Sequence, residues 1–144
     1  MEPNENQRLD ELVEDLLSGP VYVADLFPRS VPGDRLSAFM AAEAYFLSGE
    51  PLLDLRQKWA HIAIKLNCFL PLVPWPDPFS LAPGDLLSRV LLGEFTALLS
   101  PDPPAYLTIG GDDTYISLYT SDPDVLSLFR AMAQSEGLFF WPAS

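Results

Sequence analysis

The sequence predicts an α+β fold, in which an N-terminal half of about three helices packs with a C-terminal antiparallel sheet in β-β-β-α-β order. Three observations carry this. Apolar residues recur with helical spacing through residues 1–70. After Gly93 the spacing shortens to two, and the runs are separated by Pro, Gly and Asp clusters. One helical pattern returns near Pro123, between strand-like runs. Strict strand–helix alternation, the mark of a doubly wound sheet, is missing. The length of 144 residues fits a single domain: a helical half 1–70, a Pro-rich crossover 71–84 and a sheet half 85–144.

The first helix has Asn4 as its cap, with Gln7 three residues on to complete a capping box. Leu9, Leu12, Val13, Leu16 and Leu17 form one apolar face, and Gly19-Pro20 stops the helix. Asp10, Glu11, Glu14 and Asp15 cover the opposite side. Acids this late oppose the helix dipole, so local electrostatics does not explain them; they form either a plainly solvated face or one used in interaction.

Val21 to Phe27 is β-prone and is closed by Pro28, Pro32 and Gly33. A second helix is expected from Asp34 to just before Gly49, with Leu36, Phe39, Met40, Phe46 and Leu47 on its apolar side. Glu43 falls in the middle of that side, one turn from both Phe39 and Leu47. A carboxylate there needs a partner or a proton, because bare burial costs several kcal/mol. Arg56, Lys65 or a cluster of backbone N–H groups are the candidate partners.

The third helix is expected from Pro51 to Leu70, with Leu52, Leu55, Trp59, Ile62, Ala63, Leu66 and Phe69 inward. His61 and Cys68 lie seven residues apart on its polar side, about 10 Å along the axis. That exceeds the reach of a thiol–imidazole dyad. Residues 71–84 hold five prolines and read as an extended crossover pinned by Trp75 and Phe79.

Asp85 to Leu92 reads as a short helix, then Phe95–Leu99, Ala105–Ile109 and Thr114–Thr120 as strands. The residues 100–104 and Gly110-Gly111-Asp112-Asp113 supply the turns. A last helix starts near Pro123, capped by Ser121 or Asp122, and Leu138–Trp141 closes the chain as a strand. Alternation places Leu107, Ile109, Ile116 and Leu118 on the buried face and Tyr106, Tyr115 and Tyr119 on the other. That tyrosine face either stays open for recognition or packs on the helical half.

The charge restricts the partners. Twenty Asp and Glu against eight Lys and Arg give a net charge of −12 in a chain that is 49% hydrophobic. Such a surface repels nucleic acid and anionic membranes and attracts a basic protein. The lone Cys68, a polar N-terminus and the lack of any long apolar run are expected of a cytoplasmic protein without disulfide or membrane span.

Catalytic patterns are missing. Asp112 and Asp113 fall short of a calcium loop, and the paired glycines precede no GKS or GKT. No nucleophile elbow stands near the only histidine, and no pair among the twenty acids stands out for glycoside hydrolysis. No metal and no cofactor is expected. The expected function is a small acidic, non-enzymatic module of the inhibitor or immunity kind. It would use Asp10, Glu11, Glu14, Asp15, Asp112 and Asp113 for charge and Tyr106, Tyr115 and Tyr119 as anchors. Two alternatives are a ligand binder or small enzyme with a pocket near Glu43, and a homo-oligomer joined through Phe140 and Trp141.

Overall fold

The computed structural model describes residues 4–110 and 112–143. Helix α1 runs Glu5–Leu17 behind the expected capping box: the Gln7 amide donates to Asn4 Oδ1 (2.8 Å), and the Asn4 amide to Gln7 Oε1 (3.2 Å). Strand β1 is Val21–Asp25. A 3-10 turn at Gly33–Arg35 leads into α2, Leu36–Phe46, and α3 follows at Gly49–Leu66. The crossover contributes a two-residue strand β2, Val73–Pro74, and α4 starts on Pro83 and ends at Leu91. Strands β3 (Thr96–Pro101), β4 (Pro104–Ile109) and β5 (Tyr115–Tyr119) precede α5, Pro123–Ser135. Asp122 caps α5, its carboxylate accepting from the Asp124 and Val125 amides. Strand β6, Phe139–Pro142, is the last element described. Among the described residues no helix is long and apolar enough to cross a membrane.

The fold is α+β, but the expected order needs correction. The six strands form one antiparallel sheet in the order β2-β3-β4-β5-β1-β6. The N-terminal part therefore supplies an inner strand. β1 lies between β5 and β6, with Val23 opposite Ser117 on one side and Trp141 on the other. The physical reason is pairing: β6 has no neighbour in sequence beyond α5, and the apolar run Val-Tyr-Val-Ala is the strand that joins it to β5.

The two sheet faces carry different layers. On the first face Ala24, Leu98, Leu107, Ile109, Ile116 and Leu118 meet α3, α4 and α5. Leu55, Ile62, Leu66, Leu86, Val90 and Phe129 fill that layer and are almost fully buried. Each such side chain contributes about 1.5–3 kcal/mol, so this layer dominates stability. On the second face α1 lays Leu9, Leu12, Val13 and Leu16 over Ala97, Leu99 and Tyr106. None of the residues of α1 is itself buried, so its attachment is weaker. Trp75 and Phe79 do pin the crossover, one in each layer.

Arg56 donates to the Leu91 carbonyl (3.2 Å) and so ties α3 to the end of α4. Gly93 makes this approach fit, since a Cβ there would lie 2.8 Å from the guanidinium and φ is +79°. A second tie joins α3 to α5. Glu136 accepts from His61 Nδ1 (2.9 Å) and Lys65 Nζ (3.2 Å). Burial alone would raise the Glu136 carboxyl; the His61 and Lys65 hydrogen bonds and charges outweigh it and hold it below the ordinary carboxylate range. A depressed carboxyl stabilises above the unfolded-state value and loses that contribution as pH falls through the folded value. Glu136→Gln is therefore expected to cost about 1 kcal/mol at neutral pH. Thermal melts should show this gap shrinking as the pH falls below about 4, the ordinary glutamate range.

Candidate functional site

β1 alternates, so Val21, Val23 and Asp25 share the second sheet face. The alternation therefore drives an acid into that layer at the strand's end. Asp25 is only 4% exposed. Its Oδ1 accepts from Thr114 Oγ1 (2.8 Å) and from the Phe27 amide (3.2 Å). Pro28 and Pro32 then prevent further strand, and the chain arches away from the sheet toward α2. The arch is fastened at two points. Trp141 Nε1 donates to the Phe27 carbonyl (2.9 Å), and the Phe27 ring meets Phe39 of α2 at 5.4 Å.

Between arch, α2 and sheet lies a cavity of about 270 Å³. Asp25, Thr114 and Tyr115 line it from the sheet, and Phe39 and Glu43 from α2. Phe27, Val31, Pro32, Leu36 and Trp141 complete apolar walls, with Arg29 and Ser30 also on the lining. No residue of α2 is buried, and Leu36, Met40 and Tyr45 are each more than half exposed. This helix is therefore a wall of the cavity more than a part of the core.

Charge accumulates here. Burial pushes the Asp25 carboxyl up, hydrogen bonds from Thr114 and from the Phe27 and Leu26 backbone counter it, and the Asp113 charge pushes up again. Burial also raises the Tyr115 phenol, helped by the charges of Asp113, Asp25 and Glu43. Two carboxylates, Asp25 and Glu43, thus share the cavity lining with the Tyr115 phenol and one guanidinium, and a third, Asp113, acts on the phenol from the turn. Among the described residues no group of three or more His, Cys, Asp and Glu side chains is arranged to hold a metal ion.

The sequence-expected residues separate into two places on one sheet face. Tyr106 and Tyr119 pack with α1, and Tyr106 Oη donates to the Trp75 carbonyl (3.2 Å). The tyrosine face is thus packed at this end, while Tyr115 lines the cavity. On α1, Asp10 accepts from Trp75 Nε1 (3.2 Å), and Glu11, Glu14 and Asp15 stay exposed. Asp112 and Asp113 are exposed on the turn before β5, of which Gly111 lies outside the described residues.

The buried acid is Asp25, whereas Glu43 is half-buried on the cavity wall. Neither proposed partner reaches Glu43, because Arg56 is committed to Leu91 and Lys65 to Ser135 and Glu136. Asp25 escaped sequence reasoning. The signal was its spacing: an acid in phase with Val21 and Val23, just before a proline-stopped turn. Phe140 stacks on Tyr22 at 5.5 Å and Trp141 faces the cavity, so Phe139 is the exposed apolar side chain at that sheet edge. Cys68 is a free, exposed thiol, and His61 is engaged by Glu136.

No family model matches the chain, and no curated protein or solved structure matches it either. The chemistry of the cavity and of the acidic surface is therefore the guide to function. A carboxyl raised on folding favours the folded state below its unfolded value, and that contribution is lost as pH rises through the folded value. Asp25→Asn keeps an acceptor for Thr114 without the charge. The variant is expected to melt above the wild type near pH 7, by about 1 kcal/mol, the scale of one poorly compensated buried charge. Melts at descending pH should show the gap closing. A wild type more stable than the variant at neutral pH would mean the charge is already compensated.

Proposed function

We propose that the chain is a small acidic protein-binding module, of the inhibitor or immunity kind, that engages a basic partner protein. The observation that carries this reading is the uncompensated acidity of the outer side of α1. Glu11, Glu14 and Asp15 are exposed there. The ion pairs among the described residues are Asp54–Lys58, His61–Glu136, Lys65–Glu136 and Arg89–Glu94, so none involves α1. Asp15 and Asp122 also border one groove, whose apolar part is Leu12, Leu16 and Pro104.

This pattern suits steering by charge and retention by apolar contact. Long-range attraction raises the encounter rate, and desolvated anchors set the lifetime. Leu17 at the end of α1, and Leu36, Met40 and Tyr45 on α2, are exposed apolar side chains available as anchors. The net charge of −12 works against nucleic acid and anionic lipid as partners. A second reading, a ligand-binding protein or small enzyme with a pocket near Glu43, is favoured by the cavity that Glu43 lines.

The test compares the wild type with Glu11→Gln/Glu14→Gln/Asp15→Asn. The tagged proteins are used to capture partners from the source cell at low salt, and the association rate of the captured partner is then measured. The partner is expected to carry net positive charge. Its association should slow at least about tenfold between roughly 50 mM and 500 mM salt, and the triple variant should show much of that loss at low salt. An association rate indifferent to salt, or a polyanionic partner, contradicts the reading.

A further inference from the structure

We infer that the cavity above Asp25 is a recognition pocket for a guanidinium or alkylammonium head carried on an apolar stem. The inference deepens the reading above, because a Lys or Arg side chain of a basic partner has this chemistry; a free small amine shares it.

Size narrows the occupant first. At about 270 Å³ the cavity lies just below the roughly 300 Å³ at which pockets for drug-sized ligands begin. It suits one long side chain or a small amine. Its walls decide the stem. Phe27, Phe39, Leu36 and Trp141 offer apolar and aromatic surface, which suits methylene groups and the face of a delocalised cation.

The sheet side decides the head. Asp25 is nearly fully buried, with Oδ1 held by Thr114 and the Phe27 amide. It belongs to none of the ion pairs among the described residues. Glu43 faces the same space from α2, and the charge of Asp113, on the turn outside the lining, acts on Tyr115 and Asp25. An anionic head would meet the Asp25 and Glu43 carboxylates, with only Arg29 on the lining to offset them. A cation meets a buried acid and a half-buried one, where low polarity strengthens the pairing. Metal ions fit poorly, because the lining is mostly apolar while Mg²⁺ and Ca²⁺ want six or more oxygens.

Position links the pocket to the acidic helix. Asp25, Tyr115 and Trp141 lie on the same sheet face that α1 covers at its other end. A basic partner approaching that side would meet the exposed acids of α1 and could seat one side chain beside Asp25.

The test titrates the full chain with n-butylguanidine and n-butylammonium, and with n-pentanoate and 1-pentanol as anionic and neutral isosteres. The readouts are the Trp141 indole N–H resonance and calorimetry. The two cations should bind with dissociation constants on the order of 1 mM, as expected for ligands this small, while the isosteres leave the resonance in place. Asp25→Asn should weaken n-butylguanidine at least about tenfold, as loss of a buried charge partner does. Glu43→Gln, on a helix without buried residues, should fold normally and weaken it several-fold. No shift of the indole at about 50 mM cation, an equal shift with pentanoate or pentanol, or unchanged affinity in both variants overturns the inference.

The triple variant on α1 separates this inference from the broader reading. It should leave n-butylguanidine binding intact while slowing a basic protein. Release of that protein by n-butylguanidine assigns the head to the partner's side chain. Co-occupancy by protein and n-butylguanidine assigns it to a free amine.

Discussion

β1 hydrogen-bonds to β5 on one side and β6 on the other, and both partners lie far along the chain. This pairing joins the last strand to the rest of the sheet. It also sets a constraint, because side chains of a strand alternate and β1 must present Ala24 to one layer and Asp25 to the other. Ala24 enters the main core without cost. Asp25 enters the second layer as a carboxylate that Thr114 and the Phe27 amide only partly satisfy. A one-residue slip in register would exchange these roles and place the acid among Ile116, Leu118 and Phe129. Burial of that kind, without partners, costs far more than it does at the cavity.

The two faces of the sheet consequently do different work. The first holds nearly all fully buried large side chains and, with them, most of the stability. The second is covered in two pieces, α1 at one end and the arch with α2 at the other, neither helix burying a residue of its own. Acids that α1 leaves unpaired and the carboxylates around Tyr115 therefore share one side of the molecule. Local openings cost least where few apolar contacts are made, so these two covers are also the parts freest to adjust to a partner.

Local signals were legible in the sequence. The Asn4–Gln7 capping box, Pro123 at a helix start and the Asp122 cap depend on neighbours within a few residues and stand as read. The period-two runs identified β3, β4, β5 and β6, and with them the packing of Leu107, Ile109, Ile116 and Leu118. Sheet order was not legible, because Val21–Asp25 gives no local sign of which strands flank it. The same blindness hid the cavity. Glu43 stood out as an acid within an apolar helix, yet the helix lies at the surface, while Asp25 stood at the end of a strand whose depth only its partners reveal. Arg56 and Lys65 looked available to Glu43 by sequence, but their targets at Leu91 and Glu136 come from distant elements.

The most direct measurement is the carboxyl ¹³C titration of Asp25, alone and with n-butylguanidine. A buried acid on the cavity wall should titrate above the ordinary aspartate value of about 3.9 in the free protein. Bound cation stabilises the ionised form, so the midpoint should fall when n-butylguanidine is added. A midpoint at or below the ordinary value, unmoved by the cation, would mean that Asp25 is a satisfied structural group and that the cavity beside it recognises nothing positive.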